Sequence, residues 1–214
     1  MNSRLTLATF NKALTILTHR DPDLGAVIAK FGKPPIWRRP RGFETLVLLI
    51  LEQQVSLASA RAAYDRLAAT AVELSPEKML MLRDEEYRAA GVSRQKTRYI
   101  HHLSECLLDQ SLRLDRLGRM GDDDVRAQLI QVKGIGAWTA DVYLLMALMR
   151  PDVWPVGDIA LQAAAHGIKG LAARPDPAEL TDIGEAWRPW RSVAARILWH
   201  HYLSTPRIRI TGGK

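Results

Sequence analysis

Apolar residues recur along this chain at the three- and four-residue spacing of a helix face, as in Leu46, Leu49 and Ile50, or Val142, Leu145 and Met149. No run alternates as a half-buried strand would, so the spacing predicts an all-α fold. Punctuation agrees: Ser75-Pro76-Glu77 and Asp176-Pro177 each place a capping side chain before a proline at the first helical position. Gly91 stops one helix shortly before Ser93 starts the next. With 47% apolar residues among 214, the chain can bury a core without covalent staples. Its single cysteine, Cys106, excludes an internal disulfide framework and a four-cysteine iron–sulfur cluster. Cys106 is expected to be a small core residue in a reducing compartment.

Two breaks divide the helical pattern. The segment from Lys33 to Gly42 is rich in proline and cations, and a second break runs from Pro151 to Gly157. They predict a central helical lobe over 43–150 and a second lobe made from both chain ends, 1–42 plus 151–214. No 18-residue apolar window and no signal-like N-terminus is present, so a cytoplasmic protein off the membrane is expected. Thirty Lys and Arg against 23 Asp and Glu give a net charge of +7, which favours a polyanionic partner. The basic tail from Arg207 to Lys214 is expected to be mobile.

One turn stands out. The run Asp122 to Gln131 reads as a helix with an acidic first turn. After it come Val132-Lys133-Gly134-Ile135-Gly136, then a second helix predicted over Ala137 to Met149. Two glycines around one apolar residue let the backbone turn sharply, pack Ile135 inward and expose amides at the positive end of the next helix. Such a turn can hold a phosphate. By itself Gly-x-Gly is equally a plain connection between helices.

Extended to Val132-Lys133-Gly134-Ile135-Gly136-Ala137-Trp138-Thr139-Ala140, the segment resembles the helix-hairpin-helix of the base-excision DNA glycosylase superfamily. Its Trp-Thr-Ala ending is most similar to the alkyladenine branch, bacterial 3-methyladenine DNA glycosylase II. The resemblance implies two helical lobes flanking a DNA-binding and active-site groove. It implies that Lys133, Gly134, Ile135 and Gly136 hold DNA backbone, and that the carbonyls of Ile130, Val132 and Ile135 can hold a monovalent cation, Na+ or K+. No cofactor is required by it, and no iron–sulfur cluster. About 40 residues precede the central lobe, too few for the β-rich N-terminal domain of longer relatives.

Asp158, in Val156-Gly157-Asp158-Ile159, sits at a predicted helix N-terminus, where an aspartate is ordinarily a cap. The resemblance gives it a second role, because the family's catalytic aspartate follows the hairpin at this distance, here 22 residues after Gly136. Cleaving a glycosidic bond develops positive charge on the sugar, which a fixed carboxylate stabilises. Relatives that also nick the strand carry a lysine two residues after the second glycine. In this chain that residue is Trp138, which cannot form an imine, so a monofunctional enzyme is implied.

A base must leave the duplex to be reached, and aromatic faces hold it. The family's pattern implies a base pocket of Trp138, Trp199, Tyr202 and Gln53, whereas Trp187 and Trp190 read as core. In Glu52-Gln53-Gln54-Val55-Ser56, Gln54 takes the position that fills the gap left by the flipped base, and Lys96 lies in a turn similar to one that approaches DNA. The implied partner is double-stranded DNA carrying damaged bases, bound by a monomer at the nucleoid. A helix-hairpin-helix module that only holds DNA, and a glycosylase for other lesions, are the competing readings.

Overall fold

The computed structural model describes residues 4–205, and regular structure among them is helical throughout. The tail from Arg207 to Lys214 lies outside the described residues. The chain begins with α1 (Leu7–Arg20) and α2 (Pro22–Phe31), and continues through α3 (Phe43–Glu52), α4 (Leu57–Ala71), α5 (Pro76–Met81) and α6 (Asp84–Ala89). It then forms α7 (Arg94–Leu108), α8 (Leu114–Leu117), α9 (Asp122–Ile130) and α10 (Ala137–Met146). The last helices are α11 (Ile159–Lys169), α12 (Pro177–Glu185) and α13 (Arg191–Ser204). No described helix is long and apolar enough to cross a membrane.

The chain divides into two compact units, one built on Arg38–Arg150 and the other on Leu5–Trp37 together with the chain from Pro151. In the first, Leu46, Leu49 and Ile50 of α3 are fully buried, as the spacing requires. Arg126 joins the two arms of the hairpin: its Nε donates to Asp141 Oδ1 of α10 at 2.6 Å and its Nη1 to Asp123 Oδ1 of α9 at 2.7 Å. Arg39 ties the proline-rich segment down. Its guanidinium grips Glu52 at the end of α3 through two bonds of 2.9 and 2.8 Å, and its amide donates to Met146 O at the end of α10 at 2.9 Å.

The second helix of the hairpin stops earlier than periodicity predicts, at Met146. Met149 adopts φ +57, and the Arg150 amide reaches back to Leu144 O at 3.0 Å. This is the left-handed close that glycine usually supplies, so a methionine there conceals the helix end from a sequence reading. Ser75, Ser93 and Asp176 cap α5, α7 and α12 with their side chains, where the sequence places them. Cys106 is half-buried with its Sγ 3.7 Å from His102 Nδ1, instead of lying in the core, because the last turns of α7 run along the surface.

In the second unit, α13 buries Val193, Ile197 and Leu198 against α2 and α11. Asp21 caps α2 through the amides of Asp23 and Leu24, and its carboxylate accepts from Lys169 Nζ at 2.7 and 2.8 Å and from the Trp187 indole at 2.7 Å. Burial opposes the charge on Asp21, but these donors offset it and hold the carboxyl below its ordinary range. Trp187 in turn meets Trp154 edge-to-face, with centroids 5.2 Å apart, and both rings are buried. Trp187 is core as expected, whereas Trp190 is only half-buried.

Candidate functional site

Within the first unit, the hairpin closes by the Ile135 amide donating to Val132 O at 2.9 Å, which turns Val132 and Ile135 inward, 1% and 3% exposed. The two glycines do different work. Gly134 has φ +90, and a β carbon there would stand inside the ring of Tyr99, which lies flat against it. At Gly136 the backbone is ordinary and an added β carbon would meet nothing, so an incoming group can approach the main chain there. Gly136 starts α10 without a side-chain cap, and the amides of a helix's first turn have no carbonyl within the helix. Backbone donors at the positive end of a helix, with open space before them, suit a phosphate. The Lys133 amide donates to His102 Nδ1 at 3.0 Å, so α7 steadies the turn from behind while the Lys133 side chain stays exposed.

Beside the hairpin lies a cavity of about 340 Å³, lined by Gln53, Gln54, Gln95, Lys96, Tyr99 and residues 134–136. Gln53, expected to touch the base, has its amide nitrogen committed to the hairpin, donating to Gly134 O at 2.8 Å and Thr139 Oγ1 at 3.1 Å. Gln54 follows with φ +58 and an exposed side chain. A non-glycine residue in that conformation persists only where its neighbours hold it. Lys96 does part of that holding, donating to Leu51 O, in the last turn of α3, at 2.7 Å. Burial lowers the Lys96 ammonium below the ordinary lysine range.

Within the second unit, Asp158 is 8% exposed and caps α11, its Oδ1 accepting from the Leu161 amide at 2.9 Å. The same oxygen accepts from the indole of Trp199 on α13 at 3.2 Å. The cap is therefore real, and it also fixes the carboxylate. Trp199 is 8% exposed, buried along with the carboxylate it donates to. Tyr202 is half-buried one turn later on α13, and Trp138 is half-buried in the first turn of α10 in the other unit. Sequence reasoning missed Trp37. Its ring meets Trp199 edge-to-face with centroids 6.4 Å apart, and φ at Trp37 is +39. The only signal was a tryptophan inside a proline-rich connection, where an exposed aromatic is out of place. Among the described residues no cluster of His, Cys, Asp and Glu could hold a metal ion.

Known proteins match this arrangement. Residues 47–189 match the model of the HhH-GPD superfamily base excision DNA repair protein, a span from α3 past Asp158 that includes the hairpin. The chain is 37% identical over 196 residues to the Probable bifunctional transcriptional activator/DNA repair enzyme AlkA of Mycobacterium tuberculosis, an alignment covering 84% of this chain and 37% of that protein. The chain thus spans little more than a third of that relative. The crystal structure of DNA-3-methyladenine glycosidase from Bacillus halodurans superposes with a TM-score of 0.74 at 32% identity, covering 90% of this chain and 89% of that one. The fold also matches Schizosaccharomyces pombe 3-methyladenine DNA glycosylase (Mag1) in complex with abasic DNA, with a TM-score of 0.80 at 24% identity over 88% of this chain and 95% of that one. With the hairpin, the capped aspartate and the family model in register, the chain belongs to the HhH-GPD superfamily of base excision DNA repair proteins.

Proposed function

We propose that this chain is a monofunctional DNA glycosylase that removes alkylated purines such as 3-methyladenine from double-stranded DNA, acting as a monomer on the nucleoid. The observation that carries the reading is the buried Asp158 carboxylate, oriented by the Leu161 amide and the Trp199 indole. Relatives named for 3-methyladenine support the substrate class.

In this reading the amides at Gly134–Gly136 bind a backbone phosphate, Lys133 and Lys96 add charge, and Gln54 enters the duplex as the damaged nucleotide leaves it. Trp138, Trp199 and Tyr202 hold the extruded base. The bond between the sugar C1′ and the base nitrogen breaks with its electrons going to the base, which departs neutral because the alkylated purine was cationic. Positive charge then resides on the sugar, and the Asp158 carboxylate stabilises it. Water adds at C1′, its proton is released, and an abasic site remains. Trp138 at the position of the strand-cleaving lysine leaves no amine for an imine, so the backbone stays intact. At the hairpin, Na+ or K+ would sit on the carbonyls of Ile130, Val132 and Ile135; the Val132 oxygen already accepts the Ile135 amide, and its second lone pair would serve the ion.

The test is base release from duplexes carrying 3-methyladenine, 7-methylguanine, ethenoadenine, hypoxanthine, uracil or 8-oxoguanine, by wild type and by Asp158→Asn. Release of the alkylated purines that disappears in Asp158→Asn, with no borohydride-trapped adduct, is the expected result. DNA binding without release by wild type would instead identify a module that only holds DNA.

A further inference from the structure

Trp37 has no place in the mechanism so far, yet its conformation is the least ordinary in the second unit. A bulky residue at φ +39 is an outlier unless its surroundings impose it. The imposing group is Arg196. Its side chain is fully buried on α13, its Nε donates to Ile36 O at 2.6 Å and its Nη1 to Ser192 O at 2.8 Å. The peptide immediately before Trp37 is thereby clamped to α13. One turn further along the same helix is Trp199, which donates to Asp158 and meets the Trp37 ring.

The pair differs from ordinary core packing. Trp154 and Trp187 in the same unit are both buried and 5.2 Å apart, while Trp37 is half-buried and stands 6.4 Å from Trp199. Two indoles at 78° form a corner beside a carboxylate, in which a planar cationic base can lie on one face while the other ring closes its edge. We propose that Trp37 is a specificity-determining wall of the base pocket, selecting positively charged purines, and that Arg196 is its positioning residue. The inference rests on the glycosylase reading above.

The test compares kcat/KM for release of 7-methylguanine, which is cationic, with that for hypoxanthine, which is neutral, from otherwise identical duplexes. In Trp37→Leu the ratio is expected to fall about tenfold, the size of one cation–π contact at a desolvated site. Trp37→Phe, which keeps an aromatic face, restores most of it. Arg196→Met lowers the same ratio, and adds nothing to it when Trp37 is already leucine, because both act on one wall. Should Arg196→Met fail to fold, the two Trp37 variants decide. A ratio unchanged in Trp37→Leu overturns the inference while the glycosylase reading stands; a wild type that releases neither base overturns the glycosylase reading and the inference with it.

Discussion

The second unit builds one construction twice: an aspartate capping a helix, a tryptophan indole donating to it, and a second tryptophan set edge-to-face against the first. Around Asp21 the parts are closed. Trp187 donates at 2.7 Å, Trp154 lies 5.2 Å away, and Lys169 brings an ammonium to the carboxylate and within 5.8 Å of the Trp187 ring. Around Asp158 the same parts are looser, with the indole at 3.2 Å and Trp37 6.4 Å from Trp199 and half-buried. The difference teaches that the motif accommodates a cation next to a carboxylate and an aromatic face. In one copy the chain supplies that cation permanently, as a stabilising contact; in the other the proposed mechanism brings it with the substrate.

The largest expected effect would break this comparison if it failed. Asp158→Asn should cut base release by on the order of 10² to 10³, the scale of removing one preorganised electrostatic group. Asparagine still caps the helix, so melting should barely move. Asp21→Asn should do the reverse, costing about 3 kcal/mol in denaturant unfolding by leaving Lys169 without its carboxylate partner there, with turnover of the folded enzyme little changed. Equal losses of release in the two variants would show that the copies do not differ in role.

Acidity sharpens the same contrast. The Asp21 carboxyl is held below its ordinary value of 3.8, so its contribution is fully present above that value and is lost as pH falls through the lower folded one. Lys169 is raised above its ordinary 10.5, because the bonds to Asp21 and Asp23 outweigh the opposing effect of burial. Its contribution is therefore present below 10.5 and lost as pH rises beyond it. Stability measured against pH should lose most of its acid slope from this pair in Asp21→Asn.

The hairpin offers a parallel pair of like residues with unlike duties. Gly134→Ala should cost about 1–3 kcal/mol of stability, since both the left-handed backbone and the Tyr99 ring oppose a side chain. Gly136→Ala should change stability by less than about 0.5 kcal/mol yet weaken duplex binding in a titration, because the added methyl stands only in the way of an incoming phosphate. The smallest effect is expected for Gln53→Ala, about 1 kcal/mol from the two bonds lost beneath the turn.

What was legible in the sequence is what local chemistry decides. Ser75, Ser93 and Asp176 declare helix starts because a cap needs only its own next residues, and Gly-Ile-Gly declares a turn for the same reason. Asp21 and Asp158, by contrast, look alike in sequence: each precedes a helix and caps it. Only Lys169, 148 residues away, makes one of them a stabilising contact, and no local pattern reports that. Trp37 was hidden in the same way, its role depending on Arg196 and Trp199 far along the chain. The close of α10 at Met149 escaped because a methionine does there what glycine ordinarily signals.

The ring of Tyr99 occupies the space that a side chain at position 134 would need. Across the family, then, size at these two positions should not drift freely. A lineage that acquires a β carbon at 134 should first have shrunk residue 99, and a pairing of two large residues should be missing from descent.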